Sequence, residues 1–181
     1  MVKQKTVILC VTGSIAAYRS ADLTRALIEK GLKVSVVMTK EAEYFITPLT
    51  LASLSGEQVF LDMFGHLDDP LAMPHITLAQ KADVVLIAPA TANMIGKLAG
   101  GIADDLIACI VLATKAPVLI APAMNTQMYR NPIVQENCRK LAKHGMTIIN
   151  PVEGKLACGV TGDGHIADEN DIVKAVARAL K

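Results

Sequence analysis

Tryptophan is absent from this sequence, and aromatic residues together make up 3% of its 181 positions. The formal charge is close to balance at +1. A nucleic-acid surface normally shows as a basic patch or stripe, and this composition offers none. Long apolar runs are missing too. Although 52% of the residues are hydrophobic, no stretch approaches the roughly 18 apolar residues that a membrane-spanning helix requires. The opening "MVKQKTVILCVTG" has a basic start, but its apolar segment is short and runs straight into a turn and helix pattern. It reads as a first strand, not a signal peptide. Cys10, Cys109, Cys138 and Cys158 form no C-x-x-C pair and no metal-finger spacing, so no metal is expected. Neither G-x-G-x-x-G nor a Walker pattern occurs, which argues against the common dinucleotide and triphosphate signatures.

What is present is a surplus of Ala, Val, Ile and Leu, enough for one well-filled core. The expectation is a single domain over 1–181, cytoplasmic. An apolar surplus in a small α/β chain also points to buried subunit contacts, and a homo-oligomer is expected. "KTVILCVT", "KVSVVMT", "ADVVLIAPA", "APVLIAPA" and "GMTIINP" read as strands without polar alternation. Between them lie helical patterns: "IAAYRSADLTRALIEKG" closed by Gly31, "MIGKLAGGIADDLIACIVLAT", "PIVQENCRKLAKHG" and the terminal "ENDIVKAVARALK". Buried strands separated by helices predict a parallel sheet covered on both faces, a Rossmann-like three-layer α/β sandwich. Residues 45–56 read as a short helical excursion and residues 62–75 as an irregular loop of the kind that often carries function.

In such sheets ligands bind beyond the carboxyl ends of the strands. The segments found there are "TGSIAA", "TK", "PATAN", "PAMN" and "EGKLACGVTGDGH". They are rich in small, hydroxyl and amide residues, as one bound molecule organising all five would require. The second strand ends in Met38-Thr39-Lys40, where a dinucleotide site would carry an acidic ribose ligand. A hydroxyl beside a cation suits a phosphate instead, and so does the Gly13-Ser14 turn at a helix N-terminus. With Thr91 and Asn93, these residues point to a mononucleotide, FMN in preference to NAD.

Three residues are candidates for chemistry. His75 closes the irregular loop and precedes the central strand. Asn125, just past a strand end, either caps the next helix or donates its amide to a ligand carboxylate or carbonyl. Cys158 lies among Gly154, Gly159, Gly162 and Gly164, a backbone able to fold over a site and retreat. By contrast, Cys10, Cys109 and Cys138 read as structural thiols. His144 at a helix C-terminus and His66 in a polar loop read as structural histidines.

Taken together, "TGSIAAYRS", "PHITLAQKAD", "APATANMIGKLAGGIADDL", "APAMNTQMYRNP" and "GKLACGVTGDG" resemble the flavin-containing cysteine decarboxylases, over about residues 5 to 168. Within that family the likeness is greatest to members acting on 4'-phosphopantothenoylcysteine in coenzyme A biosynthesis. The resemblance implies a flavodoxin-like flavoprotein with FMN, assembled as a homotrimer or a dodecamer of trimers, with sites between subunits. It implies FMN-dependent oxidation of the substrate thiol side to a thioaldehyde, loss of CO2 to an enethiolate, and reduction to 4'-phosphopantetheine. His75 then matches the catalytic histidine, Asn125 the donor to the substrate carboxylate, and Cys158 the acid that protonates the enethiolate. Gly13, Ser14, Ile15, Thr39, Pro89, Ala90, Thr91 and Ala92 match the flavin loops. Phe45, Ala123 and Met124 match residues against the isoalloxazine, and Met124, Asn125, Ala157 and Cys158 the substrate contacts.

Two departures stand out. The family lid commonly continues "GRM", whereas this sequence reads Gly164-His165-Ile166. In bacteria the domain usually precedes a synthetase domain, so the chain is expected to be either a stand-alone enzyme or a separated domain. The resemblance also covers peptidyl-cysteine decarboxylases, which have no use for the reductive step and hence for Cys158. It extends to non-catalytic FMN-binding regulatory subunits as well, for which a long acidic tail would be the sign and is absent.

Overall fold

A computed structural model describes residues 4–64, 73–155, 159 and 161–181. Five parallel strands form the central sheet: β1 (Thr6–Val11), β2 (Lys33–Met38), β3 (Val84–Ala90), β4 (Val118–Pro122) and β5 (Thr147–Ile148). Their order is β2-β1-β3-β4-β5, the flavodoxin-like arrangement in which winding reverses between β1 and β3. Helices α1 (Ser20–Glu29), α2 (Pro48–Ser55), α3 (Pro74–Lys81), α4 (Ala92–Gly100) and α5 (Leu106–Ala113) precede β4. Helices α6 (Thr126–Arg130), α7 (Pro132–Lys143) and α8 (Glu169–Ala179) follow it.

The alternation of side chains along each strand divides the core in two. Val7, Leu9 and Val11 of β1 pack on one face with Leu23 and Leu27 of α1, Leu51 of α2 and Ile172 and Val176 of α8. Ile8 and Cys10 pack on the other with Leu78 of α3, Ile95 of α4, Ile110 of α5 and Leu141 of α7. Both faces of the sheet are therefore dry, which is why its strands read as unbroken apolar runs. Burial, with a smaller contribution from the charge of Asp105, pushes the Cys10 thiol far above its ordinary range and leaves it inert. Among the described residues, no helix is long and apolar enough to cross a membrane.

Three elements differ from the sequence reading. The helical pattern from Met94 to Thr114 breaks at Gly101, whose backbone is left-handed (φ +69°) and terminates α4. Asp105 then starts α5, its Oδ1 accepting from Ala108 N at 2.9 Å. The last strand of the sheet is only two residues long, because β5 is an edge paired with β4 alone. The stretch read as a glycine loop is in part a hairpin: β6 (Val152–Lys155) pairs antiparallel with β7 (Thr161–His165). "TGDGH" has no β-branched alternation to announce a strand. Its pairing rests on close packing that only glycine permits.

Candidate functional site

The carboxyl ends of β1, β3 and β4 are stitched together by hydroxyls and main-chain groups. Thr12 Oγ1 donates to the Pro89 carbonyl at 2.8 Å and accepts from Thr91 N at 3.0 Å. Ser14 Oγ donates to the Ala123 carbonyl at 3.3 Å and accepts from Ala16 N, capping the 3₁₀ turn Ile15–Arg19. Ala123 N donates to the Ala90 carbonyl at 3.0 Å, and Met124 N to the Gly164 carbonyl at 3.0 Å. The first, third and fourth loops and the β6–β7 hairpin thus form one connected surface.

Beside it lies a cavity of about 520 Å³ at the ends of β1, β2 and β3. Gly13, Thr39, Thr91 and Ala92, all expected at a flavin, line it together. Thr39 Oγ1 is buried and has no hydrogen-bond partner among the described residues. A buried hydroxyl left unmatched costs about 1–3 kcal/mol, so this one is placed for a ligand acceptor or donor. Gly13 passes so close to Glu41 that a Cβ there would overlap the Glu41 Cβ, which keeps its main chain bare. Thr91 Oγ1 caps α4 by accepting from Met94 N. The earlier N–H groups of a helix have no intrahelical acceptor and suit an anion.

The cavity wall also contains groups that the sequence reading passed over. Met38, Met63, Met94 and Met128 supply thioether surface. Lys97 Nζ sits 2.8 Å from Asp104 Oδ1 and 2.9 Å from Asp105 Oδ2. Hydrogen bonding to these two carboxylates raises the Lys97 pKa above the ordinary lysine value, and bonding to Lys97 lowers that of Asp104. Lys97 is therefore held charged between two carboxylates, which leaves hydroxyl and main-chain donors with Lys40 as the lining groups that could meet an anion. The "ADDL" start of an apolar run is an N-cap signal that could have revealed Asp105.

None of the other residues expected from the resemblance that the structure describes is among those lining this cavity. Pro89 and Ala90 are buried within β3, and Ala123 is buried beyond β4. Ile15 and Phe45 present 55% and 42% of their surface to solvent. Asn125 is the N-cap of α6, its Oδ1 accepting from Gln127 N at 2.8 Å. His75 is half-buried near the start of α3, and its Nδ1 is buried without a hydrogen-bond partner among the described residues. Ala157, Cys158 and His66 lie outside the described residues. His165 Nδ1 lies 2.9 Å from the Ile166 carbonyl.

A third buried polar atom, Thr126 Oγ1, also lacks a partner among the described residues, and it faces Gly162 of β7. Thr126→Val keeps the shape and removes the unmatched hydroxyl. It is expected to raise stability by about 1 kcal/mol, read as a higher midpoint in a thermal melt. A drop of similar size would mean that the hydroxyl is satisfied in solution.

Residues 1–181 match the Flavoprotein family. A probable phosphopantothenoylcysteine decarboxylase of Streptococcus mutans is 44% identical over 178 residues, covering 97% of this chain and 99% of that protein. The coenzyme A biosynthesis bifunctional protein CoaBC of Bacillus subtilis is 46% identical over 174 residues, 96% of this chain but 43% of its own length. The chain thus spans less than half of the bifunctional relatives it matches. Among solved structures, a PPC decarboxylase mutant complexed with pantothenoylaminoethenethiol superimposes with a TM-score of 0.86 at 34% identity, covering 97% of this chain and 98% of that one. The FMN-dependent cysteine decarboxylase SpaF gives 0.85 at 31% identity over the full length of both. With a parallel sheet wound in flavodoxin order and a hydroxyl-lined cavity at its switch point, the chain belongs to the Flavoprotein family.

Proposed function

We propose that this chain is an FMN-dependent carboxy-lyase that converts 4'-phosphopantothenoylcysteine to 4'-phosphopantetheine in coenzyme A biosynthesis. The observation that carries the reading is the end-to-end correspondence with the Streptococcus mutans decarboxylase. The cavity fits the cofactor: Thr39 Oγ1, the bare Gly13 main chain and the first N–H groups of α4 would hold the phosphate and its neighbouring hydroxyls. Bound FMN would supply a reversible two-electron oxidant, making the substrate a thioaldehyde that can lose CO2 and then be reduced. The protein contributes position and proton handling. Asn125, its Oδ1 held by the α6 cap, has an orientation set by the helix and would give its amide to the substrate carboxylate. His75 would take the proton released at the substrate thiol. Cys158 would deliver a proton to the enethiolate carbon.

Ile15 and Phe45, exposed in the single chain beside Tyr18 and Tyr44, suit a homotrimer or a dodecamer of trimers in which a second copy completes the site. The substrate comes from a synthetase, as a further domain or a separate partner, and the setting is the cytoplasm. The test is anaerobic incubation of the FMN-loaded protein with 4'-phosphopantothenoylcysteine, followed by mass spectrometry, with Cys158→Ser alongside. Wild type is expected to release CO2 and form 4'-phosphopantetheine, and the mutant to accumulate a product two hydrogens lighter. A flavin-loaded wild type that leaves the compound unchanged sinks the reading and turns the search to peptides ending in cysteine.

A further inference from the structure

The β6–β7 hairpin rests on the segment that leaves β4. Gly164 (φ +118°) lies against the Met124 carbonyl so closely that a Cβ would overlap the oxygen, and a Cβ at Gly162 would come within 2.6 Å of Thr126 Oγ1. Between these two glycines, Asp163 Oδ2 accepts from Arg130 Nε at 2.9 Å and from Nη2 at 2.5 Å. Arg130 is the last residue of α6, the five-residue helix whose N-cap is Asn125. One short, stiff element therefore carries Asn125 at its start and grips the hairpin at its end. Lys155 and Thr161 are the last paired residues of the two strands. The tilt of the hairpin therefore sets the placement of Lys155 and Thr161, which flank Cys158 in the sequence.

We infer that Arg130 and Asp163 are a positioning pair that holds the β6–β7 hairpin in register with Asn125. The inference rests on the proposed decarboxylase reading only in assigning Asn125 and Cys158 to one substrate. The side chains of Arg130 and Asp163 are 61% and 40% exposed, so their bond is not what keeps the domain folded. The glycine contacts and the Met124–Gly164 hydrogen bond dock the hairpin. The ion pair selects one orientation among those that this docking allows.

Arg130→Gln, Asp163→Asn and the charge-exchanged double variant Arg130→Asp/Asp163→Arg test this in the FMN-loaded protein. Amide hydrogen exchange, which needs no substrate, is expected to rise about three- to fivefold at 161–165 in each single variant, the loss of an exposed ion pair at the strong end of its range. The double variant should restore protection. In turnover, each single variant should divert a larger share of product to the form two hydrogens lighter, with melting temperature and flavin content unchanged. Unaltered exchange at 161–165 overturns the pair whether or not the compound is turned over. Raised exchange with an unaltered product ratio also overturns its positioning role. A wild type that shows the exchange effect in its variants but no turnover refutes the substrate reading alone.

Discussion

Replacing His75 by asparagine is expected to slow decarboxylation of 4'-phosphopantothenoylcysteine by a factor of about 10² to 10⁴, the usual worth of a positioned acid or base. Flavin content and melting temperature should stay near wild type. The argument is geometric. Pro74 fixes the entry of α3, and Met73, the N-cap, provides no side-chain hydrogen bond. His75 is thus placed by the helix itself, half-buried, with a ring nitrogen that nothing among the described residues satisfies. A histidine kept only for packing would be expected to use both nitrogens or leave them in water. This one also stands apart from the residues lining the 520 Å³ cavity, so its loss should not empty the flavin site. Asparagine is the informative substitution because its amide can stand near Nδ1 while having no useful acid or base chemistry. Single-turnover rates and a melting curve decide the matter. A variant that turns over at the wild-type rate but melts several degrees lower would make His75 a structural residue.

The fold was largely legible because it follows from burial. "TVILCV" and "VVLIAPA" carry no polar alternation, and a strand that is dry on both sides needs none. That Gly13, Thr39, Thr91 and Ala92 converge on one cavity was legible for a related reason: the carboxyl ends of such strands are where ligands sit, and small or hydroxyl residues there have no core to fill. Other parts depended on tertiary context. The α4–α5 break looks like continuous helix until Gly101 adopts a left-handed conformation that sequence periodicity cannot express. The Lys97–Asp104–Asp105 cluster joins α4 to the residues that lead into α5, and its charges read as ordinary surface residues along the chain. The hairpin was least visible. Its glycines read along the chain as freedom to move, yet Gly162 and Gly164 are also required because neighbouring atoms leave no room for a Cβ. Flexible and tightly packed glycines have the same letter in a sequence.

That distinction yields the second large effect. Gly164→Ala is expected to detach the hairpin and reduce activity by more than about 10²-fold, since a 1 Å displacement of a catalytic element can cost that much. Two penalties combine at this position. A left-handed backbone costs an alanine roughly 1–2 kcal/mol, and the new methyl would overlap the Met124 carbonyl. That carbonyl belongs to the segment whose N–H donates back to Gly164, so relieving the overlap breaks the bond that docks β7. Gly31 provides the control. Its φ is +78°, but a Cβ there would meet nothing within 4 Å, so Gly31→Ala incurs the backbone penalty alone. Should Gly164→Ala and Gly31→Ala lose similar stability and both retain activity, close approach would be irrelevant and the hairpin would tolerate displacement. Should Gly164→Ala instead lose activity and amide protection at 161–165 while the sheet keeps its protection, local detachment accounts for both. The hairpin is then a separately docked part of the active site whose position, not merely its mobility, the glycines encode.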